Sequence, residues 1–103
     1  MQTDCIRHTA LPEKPVQRVA LCGGAGSFLL QDALAAGADV FITGDYKYHQ
    51  FFDADGRIVI ADIGHWESEQ FTPQLIQKII ADKLPTFATL LSETKTNPVH
   101  YFC

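Results

Sequence analysis

The sequence predicts an α/β domain, a mainly parallel sheet covered by helices on both faces. Three observations predict it. Short apolar, β-branched runs alternate with helix-length segments. Glycine-bearing loops follow three of those runs, at Gly23–Gly26, Gly44–His49 and Gly64–Glu69. The segment Thr72–Lys83 carries Leu75, Ile76, Ile79 and Ile80 at helical spacing, which gives it one apolar face.

Taken in order, Cys5–Ala10 is a candidate edge strand, and Leu11–Pro15 is a connector with two prolines. Val16–Cys22 reads as a strand that ends in the turn Gly23–Gly26. Ser27 is placed to cap a helix over Phe28–Ala36, with Leu29, Leu30, Ala33 and Leu34 inward and Gly37 at the left-handed stop. Asp39–Thr43 is a second buried strand. Tyr46–Ala54 is a short aromatic helix or an ordered loop, and Asp55-Gly56 turns the chain into a third strand, Arg57–Ile63. A helical segment starts after Gly64. Thr72-Pro73 either begins a fresh helix running to Lys83 or kinks a continuous one, because proline lacks an N–H and restricts the residue before it. Phe87–Leu91 reads as a further strand, and Asn97–Cys103 as one more at an edge.

The chain has 103 residues, enough for a single domain. Hydrophobic residues make up 47% and charged residues 19%, a globular balance that argues against disorder. Net charge is −4 and the eight basic residues are scattered, so no basic stripe supports nucleic-acid binding. The cysteines, Cys5, Cys22 and Cys103, are odd in number and lack CxxC spacing, which fits a reducing compartment. The N-terminus carries no apolar signal segment, and no run approaches the ~18–20 apolar residues of a membrane span. A cytoplasmic protein with no membrane partner is expected.

In open α/β sheets, ligands sit beyond the carboxyl ends of the strands. The three glycine-bearing loops therefore gather along one functional edge. There, His65 and Glu69 are four residues apart, which on a helix places their Cβ atoms about 5–6 Å from each other on one face. An imidazole and a carboxylate so placed can share a divalent ion; the competing reading is a helix-start histidine beside a solvated acid. Asp62 is a candidate to orient the histidine or an ordinary strand-end acid. Glu67 is a candidate base for a metal-bound water, or part of a solvated helix face. Gly23, Gly24 and Gly26, with Ser27, form an anion-binding nest or simply a tight turn. Cys22 reads as a buried small residue, and Trp66 as a pocket or packing residue.

Three motifs occur in order: Val19-Ala20-Leu21-Cys22-Gly23-Gly24-Ala25-Gly26; Asp39-Val40-Phe41-Ile42-Thr43-Gly44-Asp45 with Lys47-Tyr48-His49; and Asp62-Ile63-Gly64-His65 with Glu69. Together they resemble the C-terminal part of the NGG-interacting-factor-three-like proteins, also described as type 2 GTP cyclohydrolase I homologues. The tail Thr96–Tyr101 resembles the end of longer members. The resemblance implies a two-lobed fold holding two divalent metals per full-length chain, assembled as a toroidal homohexamer. It implies that His65 and Glu69 are this half's metal ligands and that Asp45 and His49 shape a substrate pocket. The other half would supply a histidine pair and an aspartate. No adjacent histidine pair occurs here, so residues 1–103 are expected to be the C-terminal domain of a longer protein. Zinc, iron, manganese and nickel all suit such donors. The implied activity is metal-dependent hydrolysis of a nucleotide or other phosphate-bearing small molecule. The alternatives are a metal-binding oligomeric scaffold acting through partner proteins, and a plain phospholigand-binding domain resting on the glycine loop.

Overall fold

A computed structural model describes residues 1–102 of the chain. Its strands are β1 (Arg7–His8), β2 (Val19–Ala25), β3 (Val40–Gly44) and β4 (Val59–Asp62), and its helices are α1 (Leu30–Ala35), α2 (His65–Glu69) and α3 (Thr72–Lys83). The four strands form one sheet in the order β1-β4-β3-β2. β2 with β3 and β3 with β4 are parallel, whereas β1 lies antiparallel on β4, with Arg7 opposite Asp62. The sheet is thus mixed, with a parallel centre. β1 covers one edge, and the uncharged β2 forms the other.

The register carries the edge where the three glycine-bearing loops meet. Thr43 stands opposite Asp62 and Ala25 opposite Gly44, so the chain leaves all three parallel strands at one end of the sheet. Apolar side chains hold this frame. Phe41 and Ile60, nearly inaccessible, meet Leu30 and Ala33 of α1 together with Ala38, Tyr46, Ala54 and Ile58. α1 stops as its glycine predicts. Gly37 takes φ +71, its N–H reaches the Leu34 carbonyl at 2.9 Å, and the Ala38 N–H reaches that of Ala33 at 3.0 Å. This pair of bonds is the Schellman closure.

Several expectations are corrected. β2 starts three residues later than expected, because the Asp39 carboxylate takes the Gln17 and Arg18 N–H groups at 2.9 Å each. It then runs through Gly23 and Gly24 with an irregular register, so these glycines belong to a bulged strand end and not to a turn. Ser27 makes no capping bond. Gly26 occupies the cap of a 3-10 turn, Ser27–Leu29, and the Ser27 hydroxyl accepts from Gln50 at 3.2 Å. The Tyr46–Ala54 segment resolves as a 3-10 helix over Tyr48–Ala54. Pro73 opens a fresh helix, separated from α2 by Gln70 and Phe71.

Helical cover on both faces is only partly built. α2 packs on β2 and β3, but α3 buries none of its residues, and Leu75, Ile76 and Ile79 are exposed. The strand expected over Phe87–Leu91 does not form, and neither does one over 97–102; Cys103 lies outside the described residues. No helix among the described residues is long and apolar enough to cross a membrane.

Candidate metal centre

His65 opens α2 immediately after Gly64, whose φ of +92 turns the chain out of β4. Its ring lies between two carboxylates. Nδ1–H donates to Asp45 Oδ2 at 2.6 Å, and Nε2 lies 3.2 Å from Glu69 Oε2 one helical turn on. All three side chains are about half exposed. The Asp45 carboxylate, then burial in the opposite sense, then the charges of Asp45 and Glu69 act on the imidazole, with a net upward shift of its pKa.

Asp45 stands in the left-handed region at φ +57, which aspartate tolerates better than most residues. It therefore takes the orienting position on Nδ1 that Asp62 was a candidate for. Asp62 is instead buried and fully engaged. It pairs with Arg7 and accepts the N–H groups of Tyr46 and Gly64, each at 2.9 Å. Its role is to tie β1 and the Asp45 loop to the start of α2.

The glycines bring β2 against the same side chains. A β-carbon at Gly24 would lie 2.8 Å from Glu69 Oε1 and 3.2 Å from His65 Nε2, and Gly24 already has φ +69. One at Gly23 would meet Glu69 Cγ at 3.4 Å. One at Gly26 would collide with Thr43 Oγ1 and Cys22. The Gly24 N–H donates to Ser68 Oγ at 2.7 Å and is not free for an anion. The geometry thus explains Gly23 and Gly24 by close approach of strand to helix, and Gly26 by the side chains of Thr43 and Cys22.

Glu67 is the single buried residue of α2. Its Oε2 fills the space beside Gly64, where the Tyr101 hydroxyl also lies, and its Oε1 accepts from Asn97 Nδ2 at 3.4 Å. Residues of the C-terminal segment cover this carboxylate, a different setting from the solvated helix face or free base expected of it. Trp66 is partly exposed and lines the groove that α2 and α3 share with residues 89–101. His49, on the exposed first turn of the 3-10 helix, is not among that groove's lining residues, whereas Asp45 is. The structure therefore gathers Asp45, His65, Glu69 and Gly24 and leaves His49 apart. The role of Asp45 was missed from sequence, since no spacing links residues 45 and 65; its place after a strand end was the available signal.

The donor set suits a divalent ion. Two donors about 2.1 Å from one ion, at octahedral to tetrahedral angles, lie about 3.0–3.4 Å apart. The observed 3.2 Å between Nε2 and Oε2 falls in that interval. With Nδ1–H held by Asp45, loss of the Nε2 proton that faces Glu69 would free the Nε2 lone pair for an ion. The pair is incomplete, because no group of three ligating side chains converges among the described residues.

Comparison with known proteins agrees with the fold. The chain is 42% identical over 94 residues to a GTP cyclohydrolase 1 type 2 homolog of Streptococcus pneumoniae, covering 86% of this chain and 35% of that one. With the Campylobacter jejuni protein of the same description it shares 36% identity over 98 residues, 94% of this chain and 38% of that one. The fold superimposes on a Bacillus cereus protein related to NIF3 with TM-score 0.77 and 28% identity, over 97% of this chain and 29% of that one. A Staphylococcus aureus protein gives TM-score 0.79 at 26% identity, over 97% of this chain and 34% of that one. The chain spans about a third of the length of the relatives it matches. The sequence profile of Duf34/NIF3 (NGG1p interacting factor 3) matches residues 1–98, and the chain belongs to that family.

Proposed function

We propose that this chain contributes His65 and Glu69 to a divalent-metal centre of a hydrolase acting on a nucleotide or another phosphate-bearing small molecule. The observation that carries the reading is the imidazole of His65, fixed by Asp45 on Nδ1 and facing Glu69 with Nε2. The relatives described as GTP cyclohydrolase 1 type 2 homologs support the substrate class. When bound, a divalent ion supplies Lewis acidity and lowers the pKa of a coordinated water.

This chain's own residues do the rest. Asp45 holds the imidazole tautomer and orientation. Gly24 keeps the mouth of the pair clear of side chain. Glu67, buried and bonded to Asn97, takes no part in proton transfer. The remaining ligands, and the second ion of a dinuclear pair, come from outside the described residues. The exposed apolar face of α3 supports assembly with further polypeptide, in keeping with the expected homohexamer.

Elemental analysis tests the reading. The full-length protein and its His65→Ala variant are purified without chelator or added metal. Near two metals per chain, largely lost in the variant, is the expected result. No metal in either, with the fold intact, removes the mechanism and leaves the oligomeric scaffold or the phospholigand-binding domain.

A further inference from the structure

α2 has only five residues, and its one buried side chain is a carboxylate. An isolated helix needs about 12–15 residues to be even marginal in water, so tertiary contacts must set this one's orientation. Its polar attachments lie on two sides. Ser68 Oγ accepts the Gly24 N–H of β2 at 2.7 Å. Glu67 accepts from Asn97, and the Tyr101 hydroxyl lies beside the same carboxylate.

Residues 92–102 have no regular secondary structure. Asn97 is nevertheless prepared for its role. Its Oδ1 accepts the Val99 N–H at 3.1 Å, which turns Nδ2 toward Glu67 Oε1. The Tyr101 hydroxyl lies 3.0 Å from the point a Gly64 β-carbon would occupy, and Glu67 Oε2 fills that same space. A bare Gly64 thus admits both the carboxylate and the phenol. At 3.6 residues per turn, Glu67 sits about 200° around the helix from His65 and from Glu69. A pull on Glu67 therefore tilts the face that carries the pair.

We infer that residues 97–101 are a latch on α2, and that Asn97 and Tyr101, acting through Glu67, are positioning residues for His65 and Glu69. The inference rests on the metal-binding reading above. Its physical basis is that a buried carboxylate stripped of its donors is costly. Without Asn97 and Tyr101, Glu67 regains water by moving, and α2 moves with it. Glu67→Gln keeps an acceptor for Tyr101 and so preserves part of the latch.

The test pairs two measurements on the full-length protein: hydrogen exchange, and titration with Co2+ followed by its visible absorption. In the Asn97→Ala/Tyr101→Phe double variant, exchange over residues 64–70 quickens and Co2+ binding weakens, each about tenfold. Glu67→Gln shows smaller changes of the same kind. His65→Ala loses Co2+ while exchange over residues 97–102 stays unchanged. Faster exchange confined to residues 97–102, with residues 64–70 and Co2+ affinity unchanged, overturns the latch. If the parent protein binds no Co2+, the metal reading fails by itself, and exchange over residues 64–70 alone decides the latch. Should the double variant lose its fold by circular dichroism, Tyr101→Phe alone carries the same comparison.

Discussion

Asp45 shows how one side chain sets the chemistry of another. Because its carboxylate is first among the causes that raise the His65 pKa, Asp45→Asn lowers that pKa toward its ordinary value, measurable by NMR titration of the imidazole. The same change weakens metal binding by about 10–100-fold, read by titration of the metal. The sign of the pH dependence follows. A raised folded-state pKa contributes stability that is full below the unfolded value and lost as pH rises through the folded one. Metal competes for the unprotonated ring, so affinity rises with pH, with its midpoint above that of a free imidazole. Gly24 is the steric counterpart of Asp45. Gly24→Ala meets Glu69 Oε1 at 2.8 Å and forces a non-glycine residue to φ +69. It costs about 1–2 kcal/mol in denaturant unfolding and reduces metal retention. Tyr46 behaves differently. Its buried hydroxyl has no partner among the described residues, and burial first, then the charge of Asp53, pushes its pKa up to about 12. Tyr46→Phe therefore changes stability by less than about 0.5 kcal/mol or raises it, since the change removes only an unpaired polar atom.

The elements differ in how far the sequence specifies them. β3 and β4 were legible as strands because their apolar residues enter one core, though β4 starts two residues after Arg57 and stops at Asp62, one short of Ile63. β2 was legible as a strand but not in its limits. Its start depends on Asp39, twenty residues on, and its glycines are demanded by a helix that spacing alone cannot bring near. Phe87–Leu91 has strand composition, yet no neighbouring strand receives it and Leu90 is almost fully exposed. Propensity without a ladder partner does not make a strand. His65 and Glu69 were legible because i and i+4 is a local relation. The contacts of Asp45 and of Glu67 with Tyr101 were not, because they span 20 and 34 residues. Asp39 gives the element-scale prediction. It accepts the Gln17 and Arg18 N–H groups at 2.9 Å each and Lys14 Nζ at 3.0 Å, clamping the connector before β2. The two backbone bonds, then Lys14, lower its pKa to about 2. A depressed pKa contributes stability above the unfolded value near 4 that is lost as pH falls through about 2. Exchange of the Gln17 and Arg18 amides therefore accelerates across that window, and Asp39→Asn flattens the response.

At the scale of the whole molecule, the described chain builds one layer of core and leaves the outer side of α3 in solvent. Substituting Leu75 and Ile79 of α3 with glutamine changes the unfolding free energy by less than about 0.5 kcal/mol per site, because neither is buried. The two sheet edges carry a separate consequence. β1 shields one, whereas β2 presents Val19-Ala20-Leu21-Cys22-Gly23-Gly24-Ala25 with no charge to discourage a passing strand. A molecule with one adhesive side and one blunt side cannot propagate a fibril through sheet edges. Two copies meeting β2 to β2 consume both adhesive sides, and growth stops there. The unequal edges thus act as a chain terminator, confining any edge-to-edge stickiness of this domain to pairs.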